Sequence, residues 1–154
     1  MFQSFFPQPK LFFSSLALWS GILILVWYSF GKTIGESLGF DLAETETVIG
    51  LGHFITSEFL WFDTFFAFGA LAFFFVWRSR SPHEWQVWSV LGSALLIYLS
   101  YASVQVSVVI NAWYGPFYND IQTALTGDGG ITASDLYGHF LVFCTIAFPY
   151  ILFI

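Results

Sequence analysis

The sequence has few charged residues. Only 9% of its 154 residues are Asp, Glu, Lys or Arg, whereas a soluble domain has about 25%. A chain with so few charges cannot cover a water-facing surface, and 57% of its residues are hydrophobic. Uncharged runs of around 20 residues have the length that crosses a bilayer as a helix, because each residue adds about 1.5 Å. The composition therefore predicts an all-α integral membrane protein.

Other absences exclude whole classes of function. The chain has one cysteine, Cys144, so no disulfide can form within it. Its four basic residues form no cluster, which excludes a nucleic-acid site. The sequence has no Walker lysine motif, nucleophile elbow or H-E-x-x-H, and "GLGH" at 50–53 lacks the third glycine of a dinucleotide site. His53, His83 and His139 have no metal-ligand spacing with a cysteine or carboxylate. We therefore predict no enzyme, no metal and no cofactor.

Four hydrophobic segments predict a multi-span helical bundle, with spans near 11–30, 59–77, 87–110 and 136–154. The first could also be a signal peptide, since Lys10 precedes its apolar core. It ends in aromatic residues without a small-residue cleavage site, however, which favours a retained span. Thr56 and Ser57 are candidate N-caps for the second span, and "TASD" at 132–135 predicts a capping-box-like start for the fourth.

The few bases predict the orientation. Lys10 precedes the first span and Arg78 and Arg80 follow the second, so the positive-inside rule places both sides, and the N-terminus, in the cytoplasm. The loop at 31–58 has one base, Lys32, against five acids, which gives it a net charge of −4 and predicts an outward position. The fourth run ends without a basic anchor. We therefore expect residues 1–154 to be the N-terminal part of a longer transmembrane transporter domain, truncated at the C-terminus.

The third span carries polar residues on two sides of an ideal helix. One arc of about 80° holds small hydroxyl residues and one amide: Ser89, Ser93, Ser100, Ser103, Ser107 and Asn111. Such a stripe either lets a neighbouring helix approach closely or lines a wet passage. Gln105 lies on roughly the opposite side. An amide without a hydrogen-bond partner in hydrocarbon costs about 2 to 7 kcal/mol. We therefore predict that Gln105 meets another helix, a cavity or a second subunit.

Two carboxylates mark the second span. Glu58 opens it, and Asp63 lies five residues further along the helix, about 7 to 8 Å deeper. Either residue can be an interfacial carboxylate that reaches water or packs against another helix. The alternative is a group that takes up protons from outside and couples their entry to transport, since ionisable residues within spans are costly and often functional. Glu58 and Asp63 are therefore our proton-coupling candidates.

The stretch "INAWYGPFYNDIQTAL", residues 110–125, crowds aromatic and amide side chains at the end of the third span. Gly115 and Pro116 predict the end of that helix, with Pro116 at the first position of a new one. The rings suit an aromatic belt at headgroup depth. A belt does not explain Asn111, Asn119 and Gln122, which add hydrogen-bonding capacity.

Two long segments resemble the SbmA/BacA family of bacterial inner-membrane peptide-antibiotic transporters. They are "SPHEWQVWSVLGSALLIY" at 81–98 and "VINAWYGPFYNDIQTALT" at 109–126, and the opening "MFQSFFPQPKLFF" is similar to that family's amino terminus. The loop at 31–58 is the least distinctive part. A looser pattern, Asn111 with "FYNDIQ" at 117–122, resembles transmembrane domains of ABC transporters of the fatty-acyl group.

The resemblance implies a homodimeric, multi-pass inner-membrane carrier with an ABC-exporter-like fold and no ATPase domain. Such a carrier uses the proton gradient to import peptides and peptide-like antibiotics, including antimicrobial peptides. The family motif maps onto residues that would shape the gate and mouth of the substrate cavity: Asn111, Trp113, Tyr114, Phe117, Tyr118 and Gln122, with Gln105 as a further cavity candidate. The acidic outer loops fit cationic peptides. The alternatives are the membrane domain of an ATP-driven ABC transporter and a non-transporting membrane scaffold subunit.

Overall fold

The protein is built from helices. The computed structural model describes residue 6 and residues 8–43, 47–127 and 130–153, and no strand occurs within these ranges. The helices are α1 (Pro9–Ser37), α2 (Ser57–Arg80), α3 (Ser93–Thr126) and α4 (Ala133–Phe153), with a 3₁₀ helix at Leu51–Ile55 and a π-helical turn at Val87–Gly92. The all-helical prediction is confirmed. Some residues used in the sequence analysis lie outside the described ranges. They are the acidic residues Glu44, Glu46 and Asp128 and most of the opening "MFQSFFPQ".

Three of the helical segments are long and apolar enough to cross a membrane: Pro9–Ser37, Ser57–Arg80 and Val87–Thr126. They contain the first three predicted spans. The fourth predicted span is a helix as expected, and its segment Ala133–Phe148 is a shorter apolar helix. That this fourth helix crosses the membrane remains a prediction, and so does the ABC-exporter-like arrangement.

The first helix is longer than the sequence predicted. It continues through residues 31–37, which the sequence predicts to be part of a polar loop, and ends at Ser37, two residues before Gly39, whose φ of 93° is a backbone conformation that glycine adopts readily. The Phe40 N–H closes this end by donating to Gly35 O at 3.0 Å. Gly35 is buried, and a Cβ at this position would come within 2.9 Å of the Trp61 indole nitrogen, so the close approach of Trp61 requires glycine here. The close approach of Trp61 extends the helix packing beyond the apolar segment.

The third segment is the main correction to the predicted elements. Gly115 and Pro116 do not end the helix, because α3 runs without a break to Thr126 with Pro116 inside it. Proline removes one backbone donor, yet interior prolines are tolerated in membrane helices where neighbouring groups and local adjustment satisfy the freed carbonyl. From Val87 to Thr126 the helical segment has 40 residues, or about 60 Å, roughly twice the thickness of the hydrocarbon layer.

The chain divides into two compact units, which we describe separately. The first contains α1, α2 and the segment up to Ile97, and its buried core consists of Phe12, Phe73, Phe74, Trp77 and Val90. Indole hydrogen bonds tie its two long helices together. The Trp19 N–H donates to Gly69 O at 3.0 Å, and the Trp77 N–H donates to Ser15 Oγ at 3.0 Å. The antiparallel pair α1 and α2 is therefore held together by aromatic packing and by indole hydrogen bonds.

The second unit contains residues 44–56 and 98–154, and so most of α3, the 3₁₀ helix and α4. Its buried core consists of Val106, Val109, Trp113 and Ile146. The predicted start of α4 is confirmed, because the Thr132 N–H and hydroxyl donate to Asp135 Oδ2 at 2.8 and 2.7 Å. These two bonds hold the pKa of the Asp135 carboxyl below its usual value. The α3–α4 hairpin brings the 110–125 stretch against α4.

Candidate functional site

The aromatic residues of the 110–125 stretch separate into a buried set and an exposed set. Trp113 is only 5% exposed and stacks on Phe117 with ring centroids 4.6 Å apart. Its indole N–H donates to His139 O at 3.0 Å, and its ring lies 5.0 Å from that of Phe143. Trp113 and Phe117 therefore hold α3 against α4. Of the six residues that the family motif singled out, these two pack within the protein.

The other four residues of that set are exposed and lie on one face of α3. Asn111, Tyr118 and Gln122 follow each other at intervals of seven and four residues, which returns a helix to the same side. Tyr114 stacks on Tyr118 with centroids 5.7 Å apart. We call Asn111, Tyr114, Tyr118 and Gln122 the polar face of α3. It presents two amides and two phenols, all of them exposed within this chain.

The serine stripe continues this face toward the N-terminal end of α3. Ser107 and Ser100 are exposed and lie four and eleven residues before Asn111, which is about one and three helical turns. The Ser107 hydroxyl donates to Ser103 O at 3.1 Å, so it is satisfied within its own helix. This favours the interpretation in which small residues allow another helix to approach closely. Ser89 departs from the predicted stripe and is buried, because the π-helical turn at Val87–Gly92 changes the rotation per residue.

The prediction that Gln105 meets another element is confirmed. Its amide oxygen lies 2.9 Å from Nε2 of His53, on the 3₁₀ helix Leu51–Ile55, and the hydrogen bond is partly buried. The imidazole N–H donates and the amide oxygen accepts in this arrangement. The bond holds the loop before α2 against the middle of α3. Sequence reasoning treated His53 as a loop residue only, because nothing in the sequence marks a contact across 52 positions.

A second histidine contact was also missed. Nε2 of His139 lies 2.8 Å from Oδ2 of Asp120, with the two side chains 19% and 32% exposed. Asp120 is on α3 and His139 is on α4, at similar distances in sequence on either side of the turn that joins them. That symmetry is the signal that could have predicted the pair, since residues so placed face each other in an antiparallel helix hairpin. The pair holds α3 and α4 together close to the polar face.

The two proton-coupling candidates lie in the first unit. Glu58 is exposed in the first turn of α2, where a carboxylate is favoured by the helix dipole. Asp63 is half-buried, more than one turn further along the same helix. Among the residues that the structure describes, no group of three or more His, Cys, Asp or Glu side chains could hold a metal ion. The candidates thus differ in exposure, and this difference makes them separable by mutation.

The sequence profile of the SbmA/BacA-like family matches residues 82–154, slightly less than half of the chain. The resemblance of the two long segments at 81–98 and 109–126 is therefore confirmed, whereas the opening segment lies outside the matched region. The matched region includes α3, α4 and all residues of the polar face, together with Gln105 and the His139–Asp120 pair. The three long apolar helices agree with a membrane location.

Proposed function

Because residues 82–154 match the SbmA/BacA-like family, we propose that the chain is the N-terminal part of a proton-gradient-driven importer. It takes up peptides and peptide-like antibiotics across the bacterial inner membrane, as a homodimer with an ABC-exporter-like fold. The observation that carries the proposal is the polar face of α3, which lies wholly inside the matched region and is exposed along three helical turns. A helix that only anchors a protein in lipid has no use for such a face.

The chemistry of the polar face suits peptides. Each peptide residue other than proline presents one N–H donor and one C=O acceptor, and a side-chain amide offers both kinds of partner. Asn111 and Gln122 therefore can recognise backbone without demanding a particular sequence. The stacked Tyr114 and Tyr118 rings add apolar contact together with phenol hydroxyls. We assign the polar face to the wall of the substrate cavity, near the mouth through which peptides enter.

The proposal is tested by uptake of an antimicrobial peptide into liposomes containing the full-length protein. We expect uptake when the lumen is alkaline relative to the outside, and no uptake when the gradient is collapsed by a protonophore. Addition of ATP without a gradient should have no effect. Uptake that requires ATP and is insensitive to the gradient would replace this proposal by the ABC-transporter alternative.

The orientation gives a separate prediction. In a Cys144→Ser background, cysteines at Ala43 and Thr126 should be labelled by a membrane-impermeant thiol reagent added to spheroplasts. A cysteine at Ser79 should be labelled only after the membrane is opened, because the basic end of α2 is expected in the cytoplasm. The measurement is the fraction labelled before and after permeabilisation. Labelling of Ser79→Cys in sealed spheroplasts would reverse the orientation, and the polar face would then lie on the cytoplasmic side.

The two carboxylates of α2 give a matched pair of variants. We expect Asp63→Asn to reduce gradient-driven uptake about tenfold or more, because a half-buried ionisable group within a span is costly to keep there and usually serves a function. Glu58→Gln should leave uptake within about twofold, because Glu58 is exposed at the helix start, where it reaches water. Uptake is compared at equal amounts of protein in the membrane. Normal uptake by Asp63→Asn would make Asp63 a structural residue.

A further inference from the structure

A groove of about 200 Å³ runs between α1 and α2 in the first unit. Leu11, Leu18 and Ile22 of α1 form one wall, and Phe73 and Val76 of α2 form the other. Arg80, the last residue of α2, lies at one end. We call this feature the α1–α2 groove. Its lining thus combines an apolar trough with one cation.

The other polar atoms that line the groove already have partners. The Trp77 indole N–H donates to Ser15 Oγ, and the Ser15 hydroxyl donates to Phe12 O at 2.8 Å. The Trp19 indole N–H donates to Gly69 O. Arg80, in contrast, forms no ion pair with any carboxylate among the described residues. Any polar recognition in the groove therefore falls to the guanidinium of Arg80.

The length of the groove matches one leaflet of a bilayer. Leu11 and Ile22 line its two ends on α1, and 11 helical steps separate them, which is about 16 Å along the helix. The hydrocarbon layer of a typical bilayer is about 30 Å thick, so the groove extends over roughly half of it. An acyl chain of one leaflet covers that same depth. The basic end is where the headgroup of such a lipid would lie.

We propose that the α1–α2 groove binds one acyl chain of an anionic phospholipid, whose phosphate pairs with Arg80. A guanidinium forms two parallel hydrogen bonds to phosphate oxygens, which makes arginine well suited to this contact. Lys10 and Arg78 add positive charge at the same end of the helix pair, where Glu84 is the one nearby acid in the connecting turn. The net positive charge favours an anionic lipid over a zwitterionic one. This site is independent of the proposed transport function.

The test uses photo-activatable lipids with a diazirine in the acyl chain, in bilayers containing the full-length protein. One probe is a phosphatidylglycerol and the other is a phosphatidylcholine with the same chains. We expect cross-links in the peptides that contain 11–22 and 73–80, with phosphatidylglycerol favoured about fivefold. That ratio corresponds to ~1 kcal/mol for one arginine at an anionic surface.

Two arginines supply the matched control. Arg80→Gln should remove most of the lipid preference, whereas Arg78→Gln should reduce it only slightly, because Arg78 adds charge at this end but does not line the groove, and its guanidinium lies 6.0 Å from the centre of the Phe74 ring. Val76→Trp should lower cross-linking by both probes because it fills the trough. Equal cross-linking of wild type by both lipids, equal effects of the two arginine variants, or cross-links elsewhere in the chain would each overturn the proposal.

Discussion

Replacing Trp113 by alanine is expected to lower the free energy of unfolding by about 3 to 5 kcal/mol, the usual cost of removing a large buried aromatic side chain. Trp113 is 5% exposed and stacks on Phe117. It contacts Phe143 on α4, and its indole N–H donates to His139 O. Alanine removes all of these contacts and leaves a cavity in the α3–α4 core. The measurement is equilibrium unfolding in mixed micelles, followed by near-ultraviolet circular dichroism, which reports fixed aromatic packing.

The neighbouring tyrosine is the control for this variant. Tyr114 is 44% exposed, so Tyr114→Ala should cost less than about 1 kcal/mol. Trp113→Phe keeps a ring but loses the indole donor, and we expect an intermediate loss of about 1 to 2 kcal/mol. Equal losses for Trp113→Ala and Tyr114→Ala would mean that the 110–125 stretch is an exposed aromatic belt rather than part of a helix–helix core.

Substitutions on the polar face of α3 should have the second large effect, on uptake rather than on stability. Asn111→Ala, Tyr118→Phe and Gln122→Ala each remove one hydrogen-bonding group from an exposed position. If these groups bind peptide in a cavity, losing one costs about 1 to 3 kcal/mol, which corresponds to roughly 5- to 150-fold in uptake. The assay is the sensitivity of a host that carries the full-length protein to an imported antimicrobial peptide, at matched protein levels.

Asn119→Ala is the matched control for Asn111→Ala. Both residues are exposed asparagines of α3, but Asn119 is eight positions further along, so it is rotated by about 80° from Asn111 around the helix axis. We expect Asn119→Ala to change sensitivity by less than about twofold. If it impairs uptake as much as Asn111→Ala, the effect is not confined to the polar face. If all three polar-face variants retain full sensitivity, the cavity assignment is wrong and the stretch serves only to join α3 to α4.

Composition and local patterns along the chain are enough to predict a membrane protein and the position of most of its helices. Low charge and long apolar runs predict membrane helices, because hydrocarbon forces every backbone polar group into internal hydrogen bonds. The start of α4 was predictable for a local reason, since Thr132 and Asp135 are three residues apart and bond to each other directly. Gln105 was predicted to meet another element from the cost of burying its amide alone. The resemblance to the SbmA/BacA-like family, too, is visible in the residues along the chain, and a family match covers residues 82–154.

Which side chains contact each other depends on the tertiary fold and could not be predicted from local sequence. Pro116 was expected to break the helix, and α3 continues through it, because local propensity does not include the packing of Trp113 and Phe117 against α4. The partner of Gln105 lies 52 positions away, and that of Asp120 lies 19 away. The sequence likewise presents six polar and aromatic motif residues as one group, whereas the fold packs two of them against α4 and leaves four exposed. Composition fixes the cost of burying a group, whereas the partner that offsets this cost depends on how distant segments are brought together in space.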